Sequence, residues 1–263
     1  MKPMKKLVAT GIFVLLLVAC KANTGEVKIQ EQGSAPTDAA SASTESPSVS
    51  SVDEARPSPD VIEFVQTNYS EQNPTDGAYV QNDMRYTICA YRQAKTPDKY
   101  HYLALCSADD FAPEKQVDLY ILTADANNVV ASNTGILIRS ANVSLVSLGG
   151  ERLGFAVSQS EINQGLISGA TTLYAKRDEE LPAVAEFIDQ LDNTSDPDCK
   201  GYEHGCERIF RKFLDSGTPD ANAGLIIVEK NETNGTSEEK RYTLKFDSTV
   251  GKYIVPSELQ RSY

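Results

Sequence analysis

The strongest constraint on the fold is a succession of short β-type runs broken by turns. MRYTICAYRQ (84–93) and YHYLALCS (100–107) flank Pro97-Asp98. VDLYILTA (117–124) is followed by the turn-forming DANN, and then by TGILIRS (134–140). NVSLVSL (142–148) and ERLGFAVSQ (151–159) surround Gly149-Gly150, which reads as a two-residue hairpin signal. GLISGATTLYAK (165–176) is expected to pair next, across the loop SEINQ. GLIIVEK (224–230) and KRYTLKF (240–246) flank NETNGTSEE, and GKYIV (251–255) closes the series. Consecutive strands with short turns predict a mainly β (α+β) chain, an antiparallel meander rather than alternating βαβ units.

A few short helices are expected beside the strands. In SPDVIEFVQTNY, Ser58 suits an N-cap and Pro59 the first helical position. LPAVAEFIDQL places Val184, Phe187, Ile188 and Leu191 at helical spacing, which predicts a helix over 182–191. CERIFRKFLD does the same with Ile209, Phe210, Phe213 and Leu214, which predicts a second over 206–215.

The N-terminus has its own pattern. Lys2, Lys5 and Lys6 precede 13 uncharged residues, Leu7 to Ala19. As a helix that run would reach roughly 20 Å, against a bilayer core of roughly 30 Å. A basic start and a short apolar run ending in small residues describe a secretory signal. Leu17-Val18-Ala19-Cys20 resembles the lipobox of bacterial lipoproteins. The resemblance covers residues 1–21. It implies cleavage before Cys20, acylation of that cysteine (palmitate included) and attachment to a membrane through the N-terminal lipid. Lys21, where an inner-membrane member of that family in a Gram-negative host usually carries Asp, implies sorting to the outer membrane.

Three segments follow from this: a signal peptide at 1–19, a lipidated tether at 20–59, and one β-rich domain at 60–263. The tether is Ser/Ala/Pro-rich, and no aromatic residue occurs between Phe13 and Phe64. Such a segment cannot bury enough apolar surface to offset its ordering entropy. As a flexible coil it would span on the order of 35 Å. About 200 residues remain, enough for one core.

With Cys20 assigned to lipid, four of the five cysteines remain: Cys89, Cys106, Cys199 and Cys206. An even remainder in an oxidising compartment predicts two disulfides. Of three possible pairings, spacing favours Cys89 with Cys106 and Cys199 with Cys206. The first pair is symmetric about Pro97-Asp98, so the two cysteines are expected directly opposite each other in a hairpin. The second closes CKGYEHGC, whose glycines let it bend.

The formal net charge is −12. Removal of 1–19 takes away three lysines and no acid, which leaves −15. Bulk charge therefore argues against nucleic acid as a partner. The chain has no G-x-S-x-G, no H-E-x-x-H and no phosphate-binding glycine loop. Its two histidines, His101 and His204, are expected in turns or disulfide loops. Ser237 and Lys240 match S-x-x-K only by letters, at a hydrophilic hairpin tip.

Cys199, His204, Cys206 and Asp198 have donor types that suit zinc, but exported thiols oxidise instead. Asp192, Asp196 and Asp198 are weak candidates for calcium, because the D-x-D-x-D-G spacing is missing. No metal site, cofactor or catalytic residue is expected. Tyr86, Tyr91, Tyr100, Tyr102, Tyr120 and Tyr174 are expected to pack in the core and on sheet faces.

The functional expectation is a non-enzymatic, lipid-anchored interaction or structural module of the cell envelope, working with an envelope protein partner. The alternative is an inhibitor-like binder that sets acidic, disulfide-stiffened loops against a ligand or a basic enzyme.

The tether assignment has a thermal consequence. Deleting residues 25–55 should leave the melting temperature of the domain almost unchanged in a calorimetric scan, because no core side chain is lost.

Overall fold

A computed structural model of the chain describes residues 56–70, 77–95, 98–108, 114–139, 142–148, 152–214 and 224–261. The segments expected as signal and lipobox, and all of the expected tether but residues 56–59, lie outside these residues. Helix α1 (Pro59–Tyr69) comes first. A five-stranded sheet follows: β1 (Tyr79–Gln81), β2 (Met84–Gln93), β3 (His101–Ser107), β4 (Lys115–Leu122) and β5 (Val129–Ile138). An eight-stranded sheet completes the domain: β6 (Asn142–Ser147), β7 (Leu153–Asn163), β8 (Leu166–Tyr174), β9 (Ala183–Asp192), β10 (Glu207–Leu214), β11 (Leu225–Thr233), β12 (Thr236–Asp247) and β13 (Lys252–Ile254). In both sheets each strand pairs with its neighbour in sequence, and every pairing is antiparallel. The fold is mainly β and a meander, as the turn spacing predicts. Among the described residues, no helix is long and apolar enough to cross a membrane.

The start of α1 follows its sequence. Ser58 Oγ accepts the Val61 N–H at 3.4 Å, and Pro59 occupies the first turn. Val61, Val65 and Tyr69 recur every four residues and are fully buried against the five-stranded sheet. That face of the sheet contributes Tyr86, Tyr91, Leu103, Leu105 and Leu122. Tyr69 OH donates to Asp118 Oδ2 at 2.6 Å and lies 2.7 Å from Tyr120 OH. The other oxygen of Asp118 accepts Gly135 N–H at 2.6 Å and Gln116 Nε2 at 3.3 Å. A carboxylate 1% exposed thus has donors on both oxygens, as burial requires. Burial and the bond to Asp118 hold the Tyr69 phenol far above its ordinary range, and burial pushes Tyr86 up to about 12.

The opposite face of the five-stranded sheet meets β6 and β7. Ala90, Tyr102, Ala104, Cys106, Val117, Leu119 and Ile121 pack with Val143, Leu153, Phe155 and Val157. The Tyr102 and Phe155 rings lie 5.7 Å apart. Tyr86, Tyr91 and Tyr102 are buried; Tyr100, Tyr120 and Tyr174 are half-buried beside them, so the tyrosines serve packing.

Both expected disulfides are present. Cys89–Cys106 has a Cα separation of 5.7 Å and Cys199–Cys206 one of 4.8 Å. The symmetric register is corrected by a β-bulge. Thr87, not Cys89, stands opposite Cys106; Tyr91 to Gln93 then follow a register shifted by one. Cys89 is the extra residue at the shift. A bulge turns two consecutive side chains towards one face, so Cys89 joins Ala90 and Cys106 in the inter-sheet cluster.

The two segments expected as helices, 182–191 and 206–215, are corrected to strands β9 and β10. In β9 two register shifts, at Val184 (between Leu173↔Ala185 and Tyr174↔Ala183) and at Asp189 (between Gly169↔Gln190 and Ala170↔Ile188), break the two-residue alternation and mimic helical spacing. In β10, Glu207, Ile209 and Arg211 are the buried positions. Two charges on the inward face, with Phe210 and Leu214 outward, disguise a strand as an amphipathic helix.

The turns are also tighter than expected. SEIN continues β7, and the turn is Gln164-Gly165, with φ of 50° and 86°. NETNGTSEE is mostly strand around Asn234-Gly235, with φ of 51° and 83°. Both are two-residue turns with two positive φ values, which match the strand twist. The hairpin at Gly149-Gly150 closes with Leu148 N–H donating to Arg152 C=O at 2.8 Å, and residues 149–151 lie outside the described set.

The disulfides should contribute unequally. Their separations are 17 and 7 residues, worth about 3 and about 2 kcal/mol by loop-closure entropy. Cys89→Ala/Cys106→Ala should therefore lower the urea midpoint more than Cys199→Ala/Cys206→Ala does.

Candidate functional site

Cys20 lies outside the described residues. The zinc set is dissolved by the bond between Cys199 and Cys206. His204 stands exposed in their loop. The loop is held from below by Asn193, which is fully buried. Its Oδ1 accepts Glu207 N–H at 2.7 Å and its Nδ2 donates to Gly205 C=O at 2.9 Å. Gly205, at φ 71°, supplies the bend there.

Two of the three calcium candidates, Asp192 and Asp196, spend their carboxylates on separate partners, and Asp198 gives its N–H to Asp196. Asp192 Oδ2 accepts Arg208 Nε at 2.7 Å, and its Oδ1 accepts Thr194 N–H at 2.9 Å. Burial raises its carboxyl, but the Thr194 and Arg208 bonds outweigh burial and hold it below the usual range. Asp196 accepts Tyr202 OH at 2.6 Å and Asp198 N–H at 2.9 Å, and the Tyr202 bond is the main reason that its carboxyl lies low. Among the described residues, no three His, Cys, Asp or Glu side chains converge as a metal site.

His101 is not in a turn. It opens β3 and is 1% exposed. Its Nδ1 lies 2.8 Å from Tyr91 OH and its Nε2 lies 3.0 Å from Ala124 C=O. The neutral Nε2–H tautomer satisfies both contacts, so this histidine is a bonded core group. Ser237 and Lys240 are exposed residues of β12, and Lys240 pairs with Glu238 at 3.5 Å.

The densest polar chemistry was not legible as a motif. It is a row of side chains from six successive strands of the eight-stranded sheet. Ser158 (β7) lies 2.6 Å from Thr171 (β8), whose hydroxyl donates to Asp189 (β9) at 2.5 Å. Arg211 (β10) donates through Nε to Glu229 Oε2 (β11) at 2.7 Å. Tyr242 OH (β12) donates to Glu229 Oε1 at 3.3 Å. The Arg211 and Glu229 side chains are 2% and 5% exposed. Arg211 also bonds Ile188 C=O at 2.6 Å and Glu258 C=O at 3.0 Å. The last contact ties down the C-terminal segment, whose one-turn 3-10 helix (Ser257–Gln260) buries Leu259. Nearby, Arg261 Nη2 donates to the buried Glu207 Oε2 at 2.7 Å. Glu207 Oε1 has no partner among the described residues.

Burial raises the Asp189 carboxyl above its ordinary range, against the opposing pull of the Thr171 and Ser158 hydroxyls and of the Arg211 charge. The row contains no histidine, and its hydroxyls, carboxylates and guanidinium bond one another. Its chemistry is cohesion: it binds six strands and the C-terminal segment into one unit. The signal that could have found it is Arg211 and Glu229, one charge of each sign set among the apolar residues of adjacent runs.

On the surface, Arg177, Asp178, Glu179, Glu180 and Pro182 line a shallow, mostly acidic depression.

Comparison with known proteins gives no matching family model, no similar curated protein and no similar solved structure.

Two outcomes test the polar row. Arg211→Ala strands the buried Glu229 charge and should cost about 3–5 kcal/mol of unfolding free energy, while Arg211→Met/Glu229→Leu should cost much less. Asp189 binds its proton more tightly folded than unfolded, so its ionisation lowers stability as pH rises above about 4. Asp189→Asn should flatten that fall in a series of urea titrations across pH.

Proposed function

We propose that the chain is an exported lipoprotein of the bacterial envelope. Its β domain acts as a non-enzymatic interaction or structural module on a lipid-anchored tether. The observation that carries this reading is the partition of the cysteines. Cys89 with Cys106 and Cys199 with Cys206 are consumed inside the domain. Two structural disulfides fit an oxidising compartment. The fifth cysteine, Cys20, stands in LVAC at the end of the apolar run, where the lipoprotein resemblance assigns it to acyl chains.

The domain chemistry supports the non-enzymatic part. The polar row spends its carboxylates and guanidinium within the domain, and His101 is bonded on both ring nitrogens. Lys21 supports the outer membrane as the destination, in a Gram-negative host.

The test is fractionation with acyl labelling. Wild type should incorporate a palmitate analogue and stay in the membrane pellet through a carbonate wash. One acyl chain holds only marginally, but several hold essentially permanently. Cys20→Ser should lose the label, and should either remain uncleaved or appear in the soluble fraction. A cleaved Cys20→Ser protein that resists the wash would overturn the reading.

A further inference from the structure

The formal net charge is −12, but the charge is not spread evenly. From β10 to β13 the ladders run without a register shift, so alternate residues of each strand share one face. One face carries Arg211, Glu229 and Tyr242 of the polar row. The opposite face is turned to solvent. On β10 it shows Phe210, Lys212 and Leu214, all exposed. Beside them on β11 stand Lys230, Val228 and Ile226, and on β12 Glu239, Arg241 and Thr243. Lys245 of β12 and Ile254 of β13 continue the same face.

Two properties set this patch apart. It carries four cations, Lys212, Lys230, Arg241 and Lys245, against one carboxylate, Glu239, which lies 3.3 Å from Arg241. Among the described residues, Lys212, Lys230 and Lys245 have no ion-pair partner. Beyond the patch the charges balance, with Arg208 opposite Glu232 at one end and Lys252 opposite Asp247 at the other. Large apolar side chains also stand out between the cations: Phe210 is 45%, Leu214 36% and Ile254 60% exposed. Lysine is a compact charge on a flexible stem, with no planar fork to fix a single carboxylate. Such charges beside protruding apolar side chains suit diffuse negative charge laid over hydrocarbon.

We propose that this face of β10–β13 docks on an anionic lipid surface, the bilayer that holds the chain's own N-terminus. The proposal rests on the lipid-anchored reading given above. A tether that reaches on the order of 35 Å keeps the domain beside the headgroups, so a weak attraction is enough. The acidic remainder of the domain does not cancel that attraction, because charges more than roughly 8 Å from the headgroups are screened at physiological salt. The lysines meet lipid phosphates, and Phe210, Leu214 and Ile254 enter the boundary between headgroups and acyl chains.

The chain has no tryptophan, so Phe210→Trp places a single reporter on the face. The experiment puts the full lipidated Phe210→Trp chain in phosphatidylcholine vesicles with or without about 30% phosphatidylglycerol, with brominated acyl chains as quencher. Reporter fluorescence should be quenched and shifted to the blue in the anionic vesicles, and unchanged in the neutral ones. Salt at about 1 M, where the screening length falls to about 3 Å, should weaken the quenching. Adding Lys212→Glu/Lys245→Glu should abolish it. Lys95→Glu/Lys200→Glu makes the same change of net charge at exposed residues outside the face, and should leave it intact. Circular dichroism shows whether each variant folds; if Lys212→Glu/Lys245→Glu does not, salt and the neutral vesicles decide. Flotation with neutral vesicles reads the anchor separately. A chain that fails to float contradicts the lipoprotein reading, while the face is still read by quenching in anionic vesicles. An unquenched reporter there, as a face built for an acidic protein would give, overturns the proposal. So does equal quenching in neutral vesicles, quenching that salt does not weaken, or equal loss in the two charge-reversed variants.

Discussion

Arg211 and Glu229 form a buried ion pair in which each guanidinium nitrogen and both carboxylate oxygens have a partner, one of them among the chain's last described residues. The guanidinium has three contacts: Glu229, the Ile188 carbonyl and the Glu258 carbonyl. The third comes from the C-terminal segment, which covers the pair. Removing two charges from water costs several kcal/mol each unless geometry and extra bonds compensate. The sheet face therefore depends on the C-terminal segment, and that segment is held in turn by Arg211 and by the Arg261–Glu207 contact. Each supports the other, which makes residues 252–261 part of the eight-stranded sheet's own stability.

The two faces of the five-stranded sheet solve burial differently. Towards β6 and β7 the contact is apolar, with Tyr102 on Phe155 and the Cys89–Cys106 bond of β2 and β3 packed into it. Towards α1 it is aromatic with one anion at its centre, where Asp118 gathers Tyr69, Gly135 and Gln116. Apolar contact gives energy without direction, while the hydrogen bonds of Asp118 fix one position for the helix.

Much of this was legible in the sequence. Ser58-Pro59 announced α1, the β2 run matched its strand, and the close cysteine spacings gave the pairing. Two features stayed hidden for one physical reason. A bulge is a backbone event with no residue type of its own, so neither the displacement of Cys89 nor that of Asp189 could be read from letters. The shifts at Val184 and Asp189 also moved the apolar positions of β9 into helical spacing. β10 failed differently: Glu207 and Arg211 point inward because partners on other strands and on the C-terminal segment receive them. That is tertiary information, and no local window contains it. The calcium candidates show the same limit, since Asp192 is near Asp196 in sequence but spends its carboxylate on Arg208.

The position of α1 sets how the domain would carry mechanical load. A pull on the N-terminal segment enters at Pro59 and acts first on the helix, whose far end is held by Tyr69 on Asp118. Beyond it, among the described residues, come the short β1 and the first residues of β2 before Cys89. There the covalent link to Cys106 takes residues 90–105 out of the extensible path, because the chain between the two cysteines cannot be drawn out. A tug would therefore peel away the helix first and leave the first hairpin closed by its disulfide. The inter-sheet core behind that link would stay intact, and the helix could return to its seat when the load is released.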